Sequence, residues 1–137
     1  MTGDYVLEGM AVPESLDLLH DLLEQVGQEH PELSAGDLMM FETAVIEVAG
    51  NVVEHGRPPG VVKWTFRLQV LPDRLEARLS DAGEEYPGGP WGTDMPDPMA
   101  EDGRGLALAT AVLDSLAYER ADDVNHWTMV RRLEPND

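Results

Sequence analysis

The sequence contains no cysteine, which excludes disulfide bonds, thiolate zinc centres and cysteine nucleophiles together. It is also short of positive charge: Lys63 is its single lysine, and 9 basic residues face 27 acidic ones, for a formal charge of −18. A surface of that sign repels phosphate backbones and anionic leaflets, so neither nucleic acid nor a membrane surface is an expected partner, and a basic protein remains open. No run of 18 apolar residues occurs, so no spanning helix is expected. The N-terminal "MTGDYVLEGM" has neither a positive flank nor an apolar core, so it does not read as a signal peptide, and the expectation is a soluble, cytoplasmic domain. GxxxxGK[ST] is missing, which excludes a P-loop, and His20, His30, His55 and His126 show no HxxxH or HExxH spacing for zinc.

What is present suits one folded unit over residues 1–137. A chain of this length buries roughly 70% of its unfolded surface, enough for a core without covalent staples. Residues 4–12 lean towards a strand, and Pro13 opens a helix in which Leu16, Leu19, Leu22, Leu23 and Val26 keep helical spacing. A second helix is predicted from Gly36 to Glu54, stopped by Gly56 and "RPPG". Val61–Leu71 and Arg74–Asp81 read as an antiparallel hairpin about Pro72 and Asp73. From about residue 84 to 102 the chain has four prolines, three glycines, six acidic residues and no basic one, the composition of a lid-like loop. "GRGLALATAVLDSLAYE" is then expected as one helix over 103–119, and "HWTMVRRLE" as the last strand. The order β, α, α, β, β, loop, α, β, β predicts an α+β fold, a two-layer sandwich with one mostly antiparallel sheet covered by helices on one face.

Three stretches carry polar residues where chemistry would need them. In "ETAVIEVAGNVVEHG", Glu47, Asn51 and His55 recur every fourth residue, so at about 100° per residue they span only about 80° of the helix. Phe41, Val45, Val48, Ala49 and Val52 fill the adjoining arc, and the polar stripe therefore borders the buried face. A solvated helix edge would carry the same residues. A pocket wall would use them differently, the glutamate as a base towards a hydroxyl or water and the asparagine oxygen as a hard neutral ligand for Mg²⁺, which completes its shell with phosphate oxygens. In "LSDAGEEY", Asp81 ends a strand and can accept from an amino group, while Gly83 lets a flat ring approach the backbone. In "DGRGLALA", free N–H groups at a helix start, with Arg104, suit phosphate oxygens.

In this order and spacing the three stretches resemble the N, G1 and G2 boxes of the GHKL ATPase superfamily, and the chain is similar to its small branch, the anti-sigma-factor serine/threonine kinases, over nearly its whole length. The resemblance implies a Bergerat-type α/β sandwich that holds Mg·ATP between helices and lid. It implies a cytoplasmic protein that binds a sigma factor, phosphorylates an anti-anti-sigma (STAS) antagonist and commonly dimerises. By motif, Glu47 would be the catalytic base and Asn51 the Mg²⁺ ligand, and His55 would close the helix near the phosphates. Asp81 and Gly83 would hold adenine; Gly103, Arg104, Gly105 and Leu106 would form the phosphate-cradling helix start; Thr128 matches a position near the adenine. Two departures fall at the adenine end: Glu85 and Tyr86 follow the DAG, and Trp127 stands where a glycine often precedes the strand threonine. A catalytically silent module that only binds a regulatory protein is the alternative these departures leave open.

Overall fold

The computed structural model describes residues 3–56, Pro58, 60–84 and 101–133. Its elements are β1 (Gly3–Met10), α1 (Pro13–Glu29), α2 (Ala35–His55), β2 (Lys63–Val70), β3 (Arg74–Asp81), α3 (Glu101–Val112), β4 (Ser115–Ala121) and β5 (Val124–Arg132). Apart from Glu84, Glu101 and Asp102, the expected lid lies outside the described residues.

Local chemistry accounts for the helix limits. Pro13 stands at the first turn of α1, where its missing N–H costs nothing, and the Ser15 hydroxyl donates to the Met10 carbonyl at 2.6 Å. Ser34 caps α2 by accepting from the Asp37 N–H at 3.0 Å, and the Gly56 N–H closes the other end on the Val52 carbonyl at 2.7 Å.

The strands form one antiparallel sheet in the order β1-β2-β3-β5-β4. Alternation along β2 and β3 sends Trp64, Phe66, Leu68, Val70, Leu75, Ala77 and Leu79 to one face, where all are buried. The three helices cover that face, α2 between α1 and α3 and over β3 and β5. From α2 the core receives Phe41, Ala44, Val45, Val48, Ala49 and Val52, each at most 1% exposed. A fully buried valine or phenylalanine contributes about 1.5–3 kcal/mol, so this one arc is a large part of the folding free energy. The two-layer α+β sandwich is therefore as expected from the sequence.

The predicted helix over 103–119 is corrected: α3 ends at Val112, and Ser115–Ala121 is a strand. Leu, Ala and Glu are good helix formers, but the preference is worth only some tenths of a kcal/mol per residue, and pairing of β4 with β5 from Ser115↔Val130 to Ala121↔Val124 overrides it. The hairpin turns through Asp122 and Asp123, at φ 54° and 63°, the paired left-handed conformation of a two-residue turn that aspartate tolerates better than most residues.

The sheet's other face carries no helix among the described residues. Lys63, Arg67, Arg74, Arg78 and Arg132 alternate onto it, with Asp4, Glu8, Glu76 and Glu119. Arg67 forks onto Asp4 at 2.8 and 3.1 Å, and Arg74 reaches Asp73 at 2.8 Å. At the edge, the Tyr5 hydroxyl donates to Glu29 at 2.6 Å and ties β1 to the end of α1.

Two outcomes are expected. Asp123→Gly removes a side chain from a left-handed position and should raise stability by about 0.5–1 kcal/mol in urea unfolding; a loss would contradict the turn geometry. Burial and then the Glu29 carboxylate push the Tyr5 phenol from 10.0 up to about 12. Its folded value lies above the unfolded one, so its stabilising contribution is complete below pH 10 and disappears as pH rises towards 12. An ultraviolet titration should accordingly show a late tyrosine step that Tyr5→Phe abolishes.

Candidate functional site

One end of the sheet collects the polar positions. The last turn of α2 runs through a short connection into β2; Trp64 at the start of β2 pairs with Asp81 at the end of β3, and Asp81 with Asn125 near the start of β5. Glu47, Asn51 and His55 are half-buried along the edge of α2, between turns whose Val48 and Val52 are fully buried. Helical spacing thus places the stripe where the sequence predicts, at the rim of the core. Glu47 and Asn51 have no side-chain hydrogen bond among the described residues. His55 Nε2 lies 3.9 Å from Glu54 Oε2, too far for a hydrogen bond.

Asp81 is the chemical centre of this end. Its side chain is 0% exposed, and a carboxylate out of water must be met by donors. Oδ1 accepts from the Gly83 N–H at 3.1 Å and from Asn125 Nδ2 at 2.9 Å, and Oδ2 accepts from the Trp127 indole N–H at 3.2 Å. The sheet supplies these donors by register: Asn125 lies directly across from Asp81, and Trp127 lies two residues further along the same face.

Further bonds lock the donors. Asn125, itself fully buried, also donates to the Glu84 carbonyl at 3.0 Å, while its own oxygen accepts from the Tyr118 hydroxyl and from Arg120 Nη1 at 3.0 Å. Arg120 Nη1 additionally holds the Gly83 carbonyl at 2.9 Å. Tyr118 packs against Trp127 with ring centroids 5.0 Å apart. The edge hairpin β4–β5 therefore clamps the DAG turn through four side chains. Trp64, in the same cross-strand row, is 3% exposed, and its indole N–H has no partner among the described residues.

The remaining predicted residues divide. α3 begins at Glu101, two residues before the expected start, so Gly103 and Arg104 fall among the first four residues, whose N–H groups have no acceptor within a helix, and Gly105 follows them. Leu106 is buried in the core. Thr128 is not brought to Asp81. Alternation turns it away from its neighbours Trp127 and Met129, onto the helix-free face, where it lines a depression of about 330 Å³ with Arg67, Gln69, Glu76, Ala77 and Arg78.

Asn125, Tyr118 and Arg120 are the residues that sequence reasoning missed. Asn125 falls one residue before the last strand as expected from His126, yet it stands two residues before Trp127 and so on the same face of the strand; that spacing was the available signal. Tyr118 was hidden inside the helix expected over 103–119, and Arg120 stands one residue beyond it, outside any expected element.

The donor set suits Mg·ATP in kind. A strand-end carboxylate, a half-buried amide and the open N–H groups of a helix start are what an adenine amino group, a hard cation and phosphate oxygens require. Among the described residues no three His, Asp or Glu side chains gather into a metal site, so a magnesium ion here would depend on phosphate oxygens and water besides Asn51. The site departs from that fit at Asp81, whose edge is already taken by protein donors.

Asn125→Ala takes a donor from Asp81 and the Glu84 carbonyl and an acceptor from Tyr118 and Arg120, and should cost about 2–3 kcal/mol in denaturant unfolding. A change below about 0.5 kcal/mol would mean that water replaces the amide without loss.

No helix among the described residues is long and apolar enough to cross a membrane. A search of curated proteins returned no match to the chain. The sequence model of the histidine kinase-like ATPase domain matches residues 10–131, from the end of β1 into the last residues of β5. With nearly the whole chain covered, and with the half-buried Glu47–Asn51 stripe and Asp81 in place on the sandwich that this order of elements builds, the protein belongs to the histidine kinase-like ATPase domain family.

Proposed function

We propose that the chain is a cytoplasmic anti-sigma factor acting by partner switching: it binds a sigma factor and phosphorylates a serine or threonine of an anti-anti-sigma STAS protein at the expense of Mg·ATP. The observation that carries this reading is the pair Glu47 and Asn51, one turn apart, half-buried and without side-chain partners among the described residues, in a chain whose family implies ATP as ligand.

ATP, when bound, supplies the γ-phosphoryl group, and the protein's part is positioning and electrostatics. Glu47 would take the proton of the attacking hydroxyl as its oxygen bonds the γ-phosphorus and the bond from that phosphorus to the β–γ bridging oxygen breaks, with ADP as the leaving group. Asn51 would hold Mg²⁺ through its carboxamide oxygen. Gly103 and Arg104 meet phosphate oxygens with N–H groups and a guanidinium, in a chain that otherwise offers little positive charge to a triphosphate. His55 stands at the phosphate end of the stripe. Thr128 has no part, because it faces the other side of the sheet.

A second reading, a silent module that binds a regulatory protein without transferring phosphate, is favoured by the occupied carboxylate of Asp81. Purified protein mixed with labelled ATP and the STAS proteins of its own genome separates the two. Phosphate should appear on a serine or threonine with wild type and fall at least a hundredfold with Glu47→Ala, while ATP binding by calorimetry is unchanged in that variant. No phosphate on any STAS protein, with sigma binding retained, would leave the silent module.

A further inference from the structure

We propose that Trp127 is the residue that sets nucleotide affinity in this site, by standing in for the adenine on Asp81. The inference rests on the ATP-binding reading above and deepens it. A carboxylate has about four acceptor positions. Asp81 has given two on Oδ1, to Gly83 and Asn125, and one on Oδ2, to the Trp127 indole at 3.2 Å.

The indole resembles the ligand that it excludes. It is a fused five-and-six-membered ring with one N–H at its edge, and it presents that N–H to the same carboxylate that would accept from an adenine amino group. Both Asp81 and Trp127 are 0% exposed, so no solvent-accessible path leads to the remaining acceptor position. Tyr118 packs on the indole, and its hydroxyl bonds Asn125, so the ring and the amide are held by one neighbour. A purine reaches Asp81 only if the indole gives up its hydrogen bond and swings out.

The chain's own residues explain why the closure holds without nucleotide. Removing the ring would uncover one oxygen of a buried carboxylate, leaving a charge short of a donor. The position demands either this donor or a ligand that replaces it, and an aliphatic side chain there provides neither. Trp64 does not take over: it pairs with Asp81 from the β2 side, and its indole N–H lies towards Gly9 of β1.

The test is calorimetric titration of Mg·ATP into wild type, Trp127→Ala and Trp127→Leu, with folding checked by circular dichroism. In parallel, the indole N–H resonance assigned by Trp127→Phe is followed by NMR in wild type. Expected are at least tenfold tighter ATP binding in the alanine or leucine variant, and, at nucleotide concentrations that load the wild type, displacement of the Trp127 resonance. Equal affinity in all three proteins with an unmoved indole resonance would overturn the proposal and leave the ATP reading standing. No binding by any folded variant would overturn both. If the alanine variant does not fold, the leucine variant and the resonance decide.

Discussion

A buried carboxylate with no cation bonded to it among the described residues imposes the strictest condition on this molecule. Asp81 ends the central strand of the sheet under the helical layer, and its charge is tolerable there only if N–H groups surround it. The antiparallel order β3-β5-β4 meets that condition, since it brings Asn125 directly opposite and Trp127 one pleat away. The edge strand then becomes part of the site. Its contribution is Tyr118 and Arg120, which fix the amide that fixes the carboxylate.

The apolar contact of α2 with the sheet serves the same end by other means. Six fully buried side chains seat the helix, and the stripe Glu47–Asn51–His55 inherits its position from them. Far from that end, Arg131 reaches Asp37 at 2.9 Å and the Val112 carbonyl, joining the start of α2, the end of α3 and β5. Helices anchored in this way leave the polar rim as the part of the helical layer where a ligand can be met without disturbing the core.

Much of this was legible from the chain. Strict alternation in "KWTFRLQV" and "RLEARLSD" marks two strands with one buried face, and the spacing of Phe41, Val45, Val48 and Val52 marks the seated face of α2. The stripe could be read for the same reason: both sets of residues belong to one periodic element. What could not be read depended on pairing across sequence. β4 looked helical because Leu116, Ala117, Glu119, Arg120 and Ala121 are good helix formers, and their strand state is decided by pairing with β5. Thr128 was placed by motif although alternation from Trp127 sends it to the far face. The donors on Asp81 required the register of β3 on β5, information that no local window contains.

The helix-free face of the sheet has a consequence at long range. It holds five of the chain's nine lysines and arginines but four of its 27 acidic residues, so it is nearly neutral, while α1 and α2 carry nine acidic residues and no lysine or arginine. The two layers therefore form a macroscopic dipole. In dilute salt, where fields reach about 30 Å, such a body turns as it diffuses, presenting its sheet to anything acidic and its helices to anything basic before the two surfaces touch.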